Sequence, residues 1–298
     1  EISVRDWSSD VCSSDLVMPV PGRAERGIAF RTIGEAIYLR NHVLSKLDEA
    51  AVTDDPERRR KLLTFTFVGG GFAGIEALGE LEDMARFATR YYENIDASDL
   101  RWVLVEAAGR ILPEVRESLG VYTVLQLEKR GIEVYLSTLA KSFEDGHVVL
   151  SDGTEFDSDT IVWTAGAKAN PVVTNSDLPI DGRGRIRTSA AMQVEGRPGV
   201  WSAGDNAAVP DLSRIKEDPN AVCLPNAQHA VRQANLLAKN IIAVLRDREP
   251  KSYRHKNIGS VASLGLHKGV ADVFNIKLKG FLAWASVQIG RASCRERV

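Results

Sequence analysis

The sequence predicts an α/β protein built on a doubly wound parallel sheet. Two observations carry that expectation. Between residues 62 and 136, short β-branched and aromatic runs alternate with longer helix-forming runs. The first strand-like run, LLTFTFV, stops at Gly69-Gly70-Gly71, and a helix-forming run follows at once. The chain has 298 residues, 44% of them hydrophobic, enough for two domains and a large core.

Composition removes several classes. The formal charge is −2, so no basic excess points to nucleic acid. No apolar run reaches the 18 residues of a membrane span, and no secretory leader opens the chain, which makes the cytoplasm the default compartment. The three cysteines, Cys12, Cys223 and Cys294, lack C-x-x-C spacing, which argues against zinc, a disulfide framework or a dithiol redox centre. Residues 1–16 and 286–298 are polar and without period. They are expected to be non-native tails resembling translated adapter sequence, outside the fold.

The elements are expected in this order. Thr32 and Glu35 form a capping box ahead of an apolar stripe, Ala36, Leu39, Val43 and Leu47, which reads as a helix. Asp54–Lys61 is expected as a solvated, charged turn. Leu62–Val68 is a buried strand, Ile75–Phe87 a helix and Arg101–Glu106 a second strand. A helix near Glu117–Lys129 stops at Gly131, and Ile132–Leu136 forms a third strand, completing a right-handed parallel unit.

After Phe143 the pattern changes. Asp145-Gly146 and Asp152-Gly153 are hairpin turns beside His147–Leu150 and Thr154–Asp157. Thr160–Gly166 and Val200–Asp205 each read as a strand ending at small residues, separated by a Pro/Gly-punctuated stretch, Asn170–Gly199. Asn226 is expected to cap a helix reaching Arg246, with Ala230, Val231, Ala234, Leu237, Ala238, Ile241 and Leu245 on its inner side.

Gly69-x-Gly71-x-x-Gly74 has the spacing of a dinucleotide fingerprint. The first glycine allows a tight turn, the second lets a pyrophosphate approach the backbone, and the third lets helix and strand pack closely. The helix N-terminus behind them offers free N–H groups and the positive dipole end. Glu106 ends the next strand, where an acid can hold the adenosine ribose hydroxyls and repel a 2′-phosphate, so NADH is favoured over NADPH. It lies beyond the usual spacing of about 20 residues, which requires a long intervening helix or loop. Arg110 stands near enough to weaken that preference, or is a solvated surface charge.

FVGGGFAGIEALGELEDM, WVLVEAAGRILPE, VWTAG, VWSAGDNA, NAQHAVRQA and YRHKNIGSVASLG occur here in one order. Together they resemble the type II NADH dehydrogenases, single-chain NADH:quinone oxidoreductases, over about residues 17–284. The resemblance implies a two-dinucleotide-binding flavoprotein, Rossmann-like, with a parallel sheet and a β-meander. FAD would be its prosthetic group, NADH its hydride donor and a quinone its acceptor, without proton pumping. It divides the chain into a remnant of a FAD-binding domain (17–61), an NADH-binding domain (62–168) and the C-terminal part of the FAD-binding domain (169–285). The FAD domain is expected to be incomplete at its N-terminus, since the family opens with another G-x-G-x-x-G strand.

The same resemblance assigns the remaining residues. Gly204 lets a cofactor approach, and Asp205 can accept hydrogen bonds from the ribityl hydroxyls of the flavin. Ala165 and Gly166 leave room for cofactors at a strand end. Backbone N–H groups near Gln228 and His229 face the flavin's pyrimidine edge, and Gln228 belongs to the quinone pocket. Lys256 resembles a family lysine near the flavin.

Glu76, expected on the first helical turn, is either an acid stabilised by the helix dipole or a carboxylate handling the protons that quinone reduction consumes. The expected setting is peripheral attachment to the cytoplasmic side of the membrane through C-terminal helices, for which Ile276–Trp284 is the lead-in, with a homodimer as the assembly. Two alternatives stay open: another flavin reductase of the same fold, such as a ferredoxin, nitrite or rubredoxin reductase, and a nicotinamide-binding module without a working flavin site.

Overall fold

A computed structural model describes residues 20–166, 171–255, 259–274 and 276–295. In chain order the elements are α1 (Arg23–Arg26), β1 (Gly27–Ala29), α2 (Ile33–Val52), α3 (Pro56–Leu62), β2 (Thr64–Val68), α4 (Phe72–Ala88) and β3 (Arg101–Val105). Then come α5 (Glu117–Glu128), β4 (Ile132–Tyr135), β5 (Ala140–Ser142), β6 (His147–Leu150), β7 (Glu155–Asp157), β8 (Thr160–Trp163) and α6 (Pro171–Thr174). The chain continues through β9 (Ile186–Arg187), β10 (Ala207–Ala208), α7 (Ala227–Val244), β11 (Gly259–Ser263), β12 (Gly269–Val273), β13 (Ile276–Lys279) and α8 (Phe281–Arg295). They fall into two compact units, one drawing on Val17–Gly166 and Ile258–Val298, the other on Ala167–Asn257.

The first unit is built on a five-stranded sheet ordered β1-β8-β2-β3-β4, in which every pairing is parallel. All five residues of β2 and all four of β8 are buried, as a parallel sheet covered on both faces requires. Alternation sorts the side chains. Phe65, Phe67, Trp102 and Leu104 join Leu39, Val43 and Leu47 of α2 and Ile75 and Leu78 of α4 in one core. Val68, Val103, Val105, Ile161 and Trp163 join Phe143, Val148, Leu150 and Phe156 in a second core, under the antiparallel sheet β5-β6-β7. The doubly wound sheet and the β-meander are therefore both present.

Local signals explain most of the elements. Thr32 and Glu35 complete the capping box of α2, with Glu35 N donating to Thr32 Oγ1 at 3.1 Å and Thr32 N to Glu35 Oε2 at 2.8 Å. Asp145 and Gly146 both have positive φ, 54° and 76°, as a primed hairpin turn needs. The distance from the glycines to Glu106 is taken up by the 17 residues of α4, a short turn at Thr89–Tyr91 and the loop that follows.

Three expectations are corrected. Asp54–Lys61 is a helix start rather than a linker: Asp55 caps α3, accepting from the amides of Glu57 and Arg58, and Pro56 sits at its first position. Val200–Asp205 is not a strand. Trp201 makes a single bridge to Gln193, and Gly204–Asn206 is a 3-10 turn.

The third correction concerns α7, whose cap at Asn226 is as expected. Its buried residues are the polar His229, Gln233 and Asn240, while Val231 and Leu245 are 61% and 79% exposed. The reason lies in the irregular backbone around it. Gln233 Oε1 accepts from Gly204 N at 2.7 Å, and Asn240 bonds Ala191 O, Lys251 O and Lys251 N, satisfying loop groups that have no strand partner.

Candidate functional site

Parallel pairing places the C-terminal ends of β2, β3 and β8 at one edge of the first unit's sheet. The glycine turn, Glu106 and Ala165–Gly166 follow those ends directly, the place where open α/β sheets bind ligands.

The three fingerprint glycines answer to different demands. Gly69 has φ 115°, and a Cβ on it would lie 2.7 Å from Thr164 Oγ1 and 2.9 Å from Ala165 N. A Cβ on Gly74 would overlap Gly69 O and lie 2.6 Å from Thr164 Oγ1, so helix, turn and β8 can approach only around a glycine. Gly71 differs. It caps α4 with an ordinary φ of −75°, and a Cβ there would meet no atom of the described residues within 4 Å. Neither conformation nor packing among the described residues demands glycine at 71.

Glu106 sits against this turn. Its Oε2 accepts from Gly70 N at 2.5 Å and its Oε1 from Ala108 N at 2.7 Å, which fixes the carboxylate at the end of β3. Each oxygen keeps acceptor capacity for a vicinal diol. The half-buried Arg110 turns its guanidinium to its own loop, donating to the carbonyls of Leu112 and Val115. At the end of β8, Trp163 Nε1 donates to Ala165 O at 2.7 Å, and Gly166 is left-handed with φ 71°.

Glu76 is the fifth residue of α4, and the first turn holds no acid, so it lies beyond the turn expected for it. Its Oε1 accepts from Ser263 N at 3.0 Å. It heads a row with Glu80 and Asp83 along one face of α4, and these accept from Ser263 Oγ and Leu266 N. One turn away, Glu82 is fully buried and bonded to Arg86 and Arg130. Arg130 also reaches Gly79 O and Leu264 O. The acidic face of α4 therefore holds the end of β11 and the turn after it. No sequence signal could link Glu76 to a serine 187 positions on.

In the second unit, the Gly204 turn is left-handed, φ 72°, and packs on Ala230 in the first turns of α7. Asp205 is exposed as a residue, yet the chain around its carboxyl strips hydration and raises its pKa. His229 gives its backbone N–H to the Asn226 cap at 2.9 Å, so that amide is committed. Its side chain is buried and bonds Tyr253 Oη at 2.9 Å through Nδ1. Desolvation, then His255, lowers the His229 pKa, while desolvation pushes the Tyr253 phenol up to about 12. Gln228 occupies the helix's second position, and its carbonyl accepts from Arg232. Lys256 lies outside the described residues.

Sequence reasoning missed Thr164, Leu112, Ser263 and Tyr253, all ordinary residues given meaning by distant partners. A cavity of about 600 Å³ beside β1 and α2, bounded by Ile28, Tyr38, His42 and Lys46, contains none of the expected site residues.

Comparison with known proteins bears on the family and the fold. The model of the pyridine nucleotide-disulphide oxidoreductase family matches residues 13–234, and the chain belongs to that family. Within it, the chain is similar to the curated type II NADH:quinone oxidoreductases. It is 31% identical over 275 residues to the enzyme Ndh of Mycobacterium tuberculosis, covering 88% of this chain and 57% of the relative. With the enzyme of Staphylococcus epidermidis it shares 30% over 265 residues, covering 88% and 63%. The chain thus spans about three fifths of the length of these relatives. A solved structure of NDH2 from Plasmodium falciparum in complex with NADH superposes with a TM-score of 0.82 at 16% identity, over 94% of this chain and 72% of that one, a likeness of fold.

Proposed function

We propose that this chain carries the NADH site of a non-proton-pumping NADH:quinone oxidoreductase. One observation carries the reading: Gly71 is a glycine without an internal reason, at the mouth of a helix, beside a fixed carboxylate. A pyrophosphate that must touch the backbone supplies the missing reason. Gly69 and Gly74 hold the turn, and the amides at the start of α4 take the pyrophosphate. Glu106 takes the adenosine ribose diol and disfavours a 2′-phosphate. Ala165 and Gly166 leave room beside the nicotinamide half.

FAD fits the second unit in part. Asp205, short of hydration on a glycine turn, suits ribityl hydroxyls, with Gly204 allowing close approach. The N-terminus of α7, with its positive dipole end, suits the flavin's carbonyl edge. When bound, FAD would supply a two-electron relay between hydride donor and quinone. His229 acts indirectly, by anchoring the helix start through Asn226 and Tyr253. Gln228 is assigned to contact with the quinone, and Glu76 to handling the protons that quinone reduction consumes. The three-part domain assignment, peripheral attachment on the cytoplasmic side of the membrane and a homodimer belong to the same reading. No described helix is long and apolar enough to cross a membrane.

The test is titration of the chain with NADH and NADPH followed by nicotinamide fluorescence, then reconstitution with FAD and assay of a short-chain quinone. NADH is expected to bind more tightly than NADPH, and quinone reduction to depend on FAD. Absence of NADH binding refutes the nucleotide site. Binding without FAD retention leaves a nicotinamide module and refutes the oxidoreductase.

A further inference from the structure

Beyond Glu106 the chain runs under the glycine turn before α5 begins. Leu112 there is fully buried yet left-handed, φ 48°, a strained conformation for a leucine. Its N–H donates to Gly70 O at 2.8 Å. Ile111 presses on the same residue, since a Cβ on Gly70 would fall 2.5 Å from Ile111 Cγ2. Arg110 binds this loop to itself, its Nη2 facing the carbonyls of Leu112, Pro113 and Val115.

This has a consequence one peptide further on. In a trans peptide the C=O and the following N–H point in opposite directions, and no cis bond occurs here. With Gly70 O held by Leu112, the Gly71 N–H is turned away from the loop. Gly71 is exposed, and its N–H finds no acceptor among the described residues. Gly70 N is already taken by Glu106.

We propose that Arg110 is a positioning residue for pyrophosphate. By clasping the 112–115 carbonyls it keeps Leu112 left-handed and Gly70 O engaged, which aims the Gly71 N–H outward as a phosphate donor. The inference rests on the dinucleotide reading above, and adds that Arg110 acts on the phosphates through the backbone rather than on the ribose through its charge.

The experiment uses the full chain as wild type, Arg110→Gln and Arg110→Lys, titrated with NADH, ADP and adenosine, with thermal melting in parallel. Arg110→Gln is expected to weaken NADH and ADP about tenfold, the loss of one charge-assisted hydrogen bond, and to leave adenosine unchanged. Arg110→Lys, whose ammonium lacks the planar fork, is expected to fall between them and decides the matter if the glutamine variant does not fold. Equal losses for ADP and adenosine, or a lowered Tm with ADP affinity intact, overturn the positioning role. If the wild type binds no NADH, the dinucleotide reading falls and takes this inference with it. If the wild type binds and both variants match it, only the role of Arg110 falls.

Discussion

Replacing Gly71 and Gly74 separately by alanine should split one motif into a binding residue and a folding residue. At 74 the new Cβ meets Gly69 O and Thr164 Oγ1, one a main-chain oxygen and the other bonded to Val68 O at 3.0 Å. Neither can give way cheaply, and overpacking of this kind costs about 3 kcal/mol. For a domain of this size that lowers Tm by roughly 6–12 °C. At 71 the Cβ enters open space at an ordinary φ, so the only intrinsic cost is the poorer cap, about 1 kcal/mol or less. The methyl group does occupy the surface a pyrophosphate would touch, and NADH affinity should fall at least about tenfold. Differential scanning fluorimetry gives the first quantity and fluorescence titration the second. Wild-type NADH affinity in Gly71→Ala, or an unchanged Tm in Gly74→Ala, would refute the division of roles.

Two further predictions concern stability. Glu82→Ala removes the fully buried partner of Arg130, a side chain only 8% exposed, and should cost about 3 kcal/mol in urea unfolding, because Asp83 remains 2.9 Å from the guanidinium. A loss under about 1 kcal/mol would show that Asp83 alone suffices. Acidification should destabilise the second unit through His229. Its folded pKa lies below the ordinary value of about 6.5, so from there down to the depressed value the unfolded chain takes up the proton first. Stability is fully present above that ordinary value and is lost as the pH falls. Tm should therefore drop between pH 7 and 5.5, and less steeply in His229→Gln; parallel curves would exclude this histidine as the cause.

Local chemistry made much of the molecule legible in advance. The parallel sheet followed from short apolar runs broken by helix-length segments, and α2 and α7 began where side-chain oxygens could serve free amides. The fingerprint spacing placed the glycines at the end of a strand, and the acid at Glu106 was identifiable because it closed the next one. These features depend on neighbours within a few positions, so the linear order contains them.

Other features arose only from contacts between distant positions. The start of α3 is hidden in the sequence because its charges mask the signal of Asp55-Pro56. The inner side of α7 is hidden because hydrophobic patterning assumes a greasy neighbour, whereas irregular loops with unsatisfied backbone groups select Gln233 and Asn240. Glu76 is shared with a backbone amide far along the chain, and Arg110 gives its donors to carbonyls in a strained loop. The sequence by itself determined which elements form and where a dinucleotide could lie, since both follow from short-range periodicity and spacing. Tertiary structure alone decided which polar groups are spent inside the fold and which, like the Gly71 N–H, are left facing outward, because hydrogen-bond partnership is settled by approach in space.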